Sequence, residues 1–263
     1  SEISDTARLD AELLMAHALG VTRSNMLLGI GRSDWDVPAA FLQYCDRRAM
    51  CEPVAYILGH EEFYGRKFIV TPDTLIPRAD SETLIEAAME MAPSAKRVLD
   101  LGTGSGVLLI TALLELGGAS GVATDISERA LVVARQNSDH HGLGPGSARF
   151  ERRDWRSPDW AGDLGKFDLI LCNPPYVEQD ALLAPNVRDY EPHSALFSGS
   201  EGLDDYRVVF PQIGTLMNPG ARAIFEIGSS QGDAVCAIAQ GQGFNCTIRH
   251  DLADRPRAVV MYQ

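Results

Sequence analysis

From about Ser81 onward the chain alternates short apolar runs with amphipathic stretches, and that alternation limits its fold most. The spacing predicts helix 81–92, strand 97–101, helix 105–116, strand 120–125 and helix 127–141. Strands at 147–151 and 167–172 follow, then helix 203–217, strand 221–227, helix 229–240 and strands at 244–249 and 257–262. Strands separated by helices must run mostly parallel, with helices covering both faces of the sheet. The last two of these seven strands leave no room for a helix between them, so they pair antiparallel.

The part before Ser81 reads differently. The stretch "SDTARLDAELLMAHALG" predicts a helix with Ser4 or Asp5 as its cap, Leu9, Leu13 and Ala16 on one face, and Gly20 as its stop. A second helix is expected over 38–50. "AYILGHEEFYGRKFIV" reads as two strand-like runs turning at Gly65, and Pro72 and Pro77 punctuate a connecting loop.

Composition narrows the function. The formal net charge is 23 − 36 = −13, which opposes tight, sequence-blind binding to DNA. No apolar run reaches transmembrane length, and the acidic N-terminus lacks the shape of a signal peptide. The five cysteines form no CxxC pair and no cluster with histidine, so they read as reduced thiols of a cytoplasmic protein without a metal site.

Two motifs carry chemistry. In "VLDLGTGSGVL", Asp100 closes a strand and Gly102, Gly104 and Gly106 alternate through the turn into a helix, with Thr103 and Ser105 between them. Such glycines let a backbone turn tightly and approach a ligand at the carboxyl end of a sheet. The pattern is GxGxG, because Val107 stands where a dinucleotide site repeats its spacing. Asp125, followed by Ile126, ends the next strand, where a carboxylate can accept both hydroxyls of a ribose. The combination resembles a class I S-adenosylmethionine site. Asp154 and Trp155 stand where such a fold holds the adenine, offering an acceptor and a flat apolar face. The neighbouring Arg149, Arg152, Arg153 and Arg156 read as a solvated face.

The second motif, Asn173-Pro174-Pro175-Tyr176, follows an apolar strand. The prolines stiffen the exit and hold the preceding residues extended. The corner then presents the Asn173 side-chain oxygen and the Pro174 carbonyl as acceptors for one planar NH2 group, with Tyr176 as a stacking surface. Asn173 also borders the cofactor. This is a site for methylating an amide or aromatic amine, and the corner alone does not choose between them.

The remaining segments do. "ARLDAELLMAHALG", "EPVAYILGHEEFYGRKFIV", "LIPRADSE", "LDLGTGSG", "RDW", "FDLILCNPPYV", "EPHSALFSGSEGLDDYR", "NPGARAIFEIG" and "DLADRPRAVV" follow in order, and the chain resembles the HemK/PrmC family of release factor glutamine methyltransferases. The resemblance implies a helical substrate-recognition domain over 1–52, a β-hairpin and linker over 53–80, and a methyltransferase domain over 81–263. It implies S-adenosylmethionine contacts at Gly102 to Gly106, Asp125, Trp155 and Asn173. It implies as substrate the glutamine of the GGQ motif in class 1 peptide chain release factors, held by Asn173 to Tyr176; a monomer is expected. The family's "IPRPETE" is here "IPRADSE", with Ala79, Asp80 and Ser81 at the changed positions. The chain starts at Ser1, later than is usual for the family. His193 reads as a loop or core histidine. The competing readings are an adenine-N6 methyltransferase, which needs a basic groove for a flipped base, and a non-catalytic adaptor that only binds the cofactor.

Overall fold

The computed structural model describes residues 6–29 and 36–263, so the expected caps Ser4 and Asp5 lie outside the described residues. The N-terminal part holds α1 (Ala7–Leu19), α2 (Arg23–Gly29), α3 (Ala39–Ala49) and α4 (Val54–Leu58). Gly20 ends α1 in the left-handed region at φ 68°. The apolar face of α1 is not the expected one. Leu9 is exposed, and the buried positions are Asp10, Leu14 and Ala16. Asp10 is paired where it is buried, accepting from Arg48 of α3 at 2.8 Å and from the Thr6 hydroxyl at 2.8 Å.

A second correction concerns Ala55 to Leu58, read as strand-like but folded as α4. Pro53 precedes its first turn, where a missing N–H costs nothing, and Gly59 stops it at φ 76°. The hairpin proper is β1 (His60–Phe63) and β2 (Arg66–Ile69), paired antiparallel with Phe63 opposite Arg66. Tyr64 and Gly65 make the turn, both at positive φ (52° and 67°), as a two-residue turn of the primed type requires.

A 3-10 turn at Ala79–Ser81 leads into α5 (Glu82–Met91), β3 (Arg97–Leu101), α6 (Val107–Leu116), β4 (Ser120–Asp125), α7 (Glu128–His140), β5 (Ala148–Arg152) and β6 (Phe167–Cys172). Then come the short α8 (Pro185–Arg188), a 3-10 turn at His193–Ala195, α9 (Asp204–Leu216), β7 (Met217–Glu226), α10 (Gly232–Gly241), β8 (Asn245–His250) and β9 (Pro256–Tyr262). The described residues form a seven-stranded sheet in the order β5-β4-β3-β6-β7-β9-β8. Only β9 runs against its neighbours, pairing antiparallel with β7 and β8.

Successive strand residues feed opposite faces. Leu99, Leu101 and Ile170 join Tyr206, Phe210 and Ile213 of α9 in one core. Val98, Leu169 and Leu171 join Leu84 and Ile85 of α5 and Leu109 of α6 in the other. Each fully buried Leu, Ile or Phe contributes about 1.5–3 kcal/mol relative to exposure, so the sheet is a stiff platform for whatever leaves its carboxyl edge. Among the described residues no helix is long and apolar enough to cross a membrane.

Candidate active site

The central strands β3 and β6 lie side by side, with Leu101 opposite Cys172. The glycine loop leaves one and the Asn173 corner leaves the other, so the two motifs open into the same space. That space is a cavity of about 390 Å³, within the range of small-molecule sites.

Local backbone chemistry shapes the loop. Gly102, Gly104 and Gly106 all have positive φ, at 68°, 55° and 86°. A Cβ on Gly102 would stand 3.0 Å from the Trp155 ring, and one on Gly106 would stand 2.9 Å from Ile110 Cδ1. Gly102 thus lets the indole close on the loop, and Gly106 lets α6 start. Beneath, Asp100 Oδ2 accepts from Thr103 Oγ1 at 2.5 Å and from the Leu109 N–H at 3.3 Å. Its Oδ1 is buried without a hydrogen-bond partner among the described residues. Burial pushes the Asp100 carboxyl up to about 7.

Asp125 accepts the Gly104 N–H at 2.9 Å on one oxygen and the Ser127 N–H at 2.8 Å on the other. Burial raises its pKa and these backbone donors oppose the rise. Each oxygen keeps a lone pair for a ligand. Ile126 beside it exposes about half of its surface on the cavity wall, which is unusual for an apolar side chain so placed. Asn137 of α7 clamps the loop from behind. Its Nδ2 donates to the carbonyls of Ser105 at 2.8 Å and Ile69 at 3.0 Å, and its Oδ1 accepts the Ile69 N–H at 2.7 Å.

Asp154 and Trp155 follow β5 and line the same cavity. The Trp155 indole N–H donates to Asp205 Oδ1 at 2.9 Å, and Arg156 donates to the same oxygen at 2.6 Å. Ser198 Oγ holds the other Asp205 oxygen at 2.7 Å. Arg149, Arg152 and Arg156 are exposed, as expected of a solvated face, whereas Arg153 is half-buried in ion pairs with Glu151 and Asp163.

At the other corner Asn173 and Pro175 line the cavity. Asn173 Nδ2 donates to Ser81 Oγ at 3.3 Å, and Ser81 Oγ donates to Glu226 Oε2 at 2.5 Å. Gly106, Pro174 and Tyr176 do not line the cavity. The Tyr176 hydroxyl donates to Glu226 Oε1 at 3.1 Å. Burial and the Glu226 carboxylate both push that hydroxyl well above the usual phenol range. His193 is an exposed loop residue, its Nε2 paired with the Arg188 carbonyl at 2.8 Å. Among the described residues no group of His, Cys, Asp and Glu is placed to hold a metal ion.

Sequence reasoning missed Ser81, Asp205 and Glu226 as parts of the site. Glu226 had a visible signal: a lone carboxylate inside the apolar run "AIFEI". Asp205 did not, because paired acids at a helix start read as ordinary first-turn residues.

A sheet of this order, with a glycine loop leaving its central strand and a carboxylate ending the next, defines a class I S-adenosylmethionine-dependent methyltransferase. The release factor glutamine methyltransferase of Cereibacter sphaeroides is 40% identical over 260 residues, covering 97% of this chain and 91% of that one. The chain belongs to the release factor glutamine methyltransferase family. Its relative in Geobacter sulfurreducens is 38% identical over 243 residues, covering 91% of this chain and 84% of that one. The family described as PrmC N-terminal domain matches residues 1–59, and the one described as Methyltransferase small domain matches residues 79–188. A methyltransferase structure from Pyrococcus furiosus shares the fold with a TM-score of 0.57 at 14% identity, covering 82% of this chain and 97% of that one.

Proposed function

We propose that the protein methylates the side-chain amide nitrogen, N5, of the glutamine in the GGQ motif of class 1 peptide chain release factors, with S-adenosylmethionine as donor. The observation that carries this reading is the Asn173 amide. Its Nδ2 is engaged by Ser81, which leaves Oδ1 as an acceptor beside the glycine loop. An acceptor at that place suits a substrate NH2 group.

The cavity fits the donor. Gly104 has nothing within 4 Å of where a Cβ would stand, so a ligand can approach its backbone. Asp125 would take the ribose hydroxyls, Ile126 and Trp155 would give the adenine apolar surface, and Asp154 would accept from its exocyclic amine. Bound there, S-adenosylmethionine supplies an electrophilic methyl group. Asn173 Oδ1 and the Pro174 carbonyl would each accept one N–H of the glutamine amide. That nitrogen is a poor nucleophile because its lone pair is delocalised. Two fixed acceptors hold the amide plane and favour a more tetrahedral nitrogen as the N–C bond forms. Alignment and preorganised dipoles therefore carry much of the catalysis. The nitrogen releases its proton to water once the bond has formed. Tyr176 keeps the corner in place through Glu226.

In this reading residues 1–52 recognise the release factor, 53–80 form hairpin and linker, and 81–263 carry out transfer. The enzyme works in the cytoplasm as a single chain, in keeping with five free thiols. Mass spectrometry of a GGQ-containing release factor, incubated with the protein and S-adenosylmethionine, tests it. One added methyl on the GGQ glutamine is expected; a release factor left unmodified, or transfer to an oligonucleotide instead, would sink it.

A further inference from the structure

The oxygen and the NH2 of a side-chain amide have nearly the same size, so packing alone does not decide which one faces a ligand. Hydrogen-bond direction does, and here it can be followed from group to group. Glu226 ends β7 and is 1% exposed. An ionised carboxylate only accepts, and its two oxygens take the Ser81 hydroxyl at 2.5 Å and the Tyr176 hydroxyl at 3.1 Å. The single Ser81 hydrogen is thereby spent on Glu226. Toward Asn173, Ser81 Oγ has only lone pairs to offer, so it can receive Nδ2 but cannot serve Oδ1. The amide is keyed one way round, with its oxygen toward the cavity.

Ser81, Tyr176 and the nearby Arg257 favour the ionised, accepting form of Glu226, while burial, the largest influence, and Asp80 raise its carboxyl above the ordinary value. Arg257 is itself buried in β9 and held by Asp80 at 2.8 Å. The Glu226 backbone is fixed as well, its carbonyl accepting the buried Tyr206 hydroxyl at 2.7 Å.

We propose that Glu226 is a positioning residue which, through Ser81, sets the Asn173 amide with its oxygen toward the substrate, and that this setting selects glutamine over the isosteric glutamate. A glutamine amide brings two N–H donors to that oxygen. A glutamate carboxylate brings only acceptors and would meet oxygen with oxygen. With the Asn173 amide reversed, the preference would invert. The proposal rests on the glutamine reading above.

The test uses the full chain, a GGQ release factor and the same factor with glutamate replacing that glutamine. Wild-type methylation of the GGQ factor is measured first; its failure would count against the function, not against the positioning role. Given that activity, Glu226→Leu and Ser81→Ala each lower kcat by about tenfold or more, with KM for the release factor and Kd for S-adenosylmethionine changed by less than about twofold. Both variants bind the glutamate-bearing factor more tightly than wild type does. Ser81→Thr, which keeps the hydroxyl, restores kcat. Wild-type kcat and wild-type discrimination in both variants would overturn the proposal, as would a loss of cofactor affinity matching the loss of kcat. Should the variants fail to fold, wild type alone decides. With S-adenosylhomocysteine present, it binds the GGQ factor tighter than the glutamate-bearing one by about tenfold, the cost of an unmatched buried polar group. Equal affinities would overturn the proposal.

Discussion

Asp100 has one oxygen bonded twice and the other buried without a partner among the described residues. Its carboxyl is raised from 3.8 to about 7 by burial. A raised folded pKa means that the native state keeps a proton which the unfolded chain has already released. The associated stability is full below the ordinary value and is lost as pH climbs to about 7. Thermal unfolding between acid and neutral pH should therefore show the wild-type midpoint falling across that window. The fall should be smaller in Asp100→Asn, and parallel curves for the two proteins would count against a protonated Asp100. The legibility of single residues followed their spacing in the chain. Gly102, Gly104, Asp125 and Asn173 stand in contiguous motifs at strand ends, and the structure brings them to one cavity. Ser81 meets Glu226 across 145 residues and Asn173 across 92, so no local pattern could pair them.

At the scale of elements, the glycine loop is set by what it excludes. Alanine at position 102 would hold a left-handed backbone at φ 68° and place a methyl 3.0 Å from Trp155. The backbone cost alone is about 1–2 kcal/mol, and the indole, bonded to Asp205, cannot retreat without losing that bond. Gly102→Ala should weaken S-adenosylmethionine binding by about tenfold or more in calorimetric titration, with altered Trp155 fluorescence. Wild-type affinity would show that the indole and loop do not need their close contact. Elements were also where sequence reasoning slipped. Ala55 to Leu58 is apolar enough for a strand, yet Pro53 and Gly59 bracket a helical turn. On α1, periodicity favoured Leu9, but the inward position is Asp10, paired with Arg48.

For the molecule as a whole, the alternation of strands and helices was readable because burial on both faces demands apolar runs. The reversal of β9 was readable from the short link before it. How the N-terminal part, the linker and the loop after the Asn173 corner join was not, since long-range polar contacts make those joints. Arg78 of the linker pairs with the buried Glu191 at 2.5 Å, and the Tyr190 hydroxyl donates to the Met50 carbonyl at 2.7 Å. Asn137 is the deepest of these joints, and it has a consequence for cooperativity. A two-stranded ribbon by itself frays readily in water. The Ile69 amide hydrogen, however, is bonded to the Asn137 side chain of α7. Deuterium should replace it at the slow rate of the α7 core amides, because its release needs the larger unit to open. Exchange as fast as that of the exposed hairpin amides would mean that the ribbon opens by itself; slow exchange would make β1 and β2 part of the same folding unit as the cofactor loop.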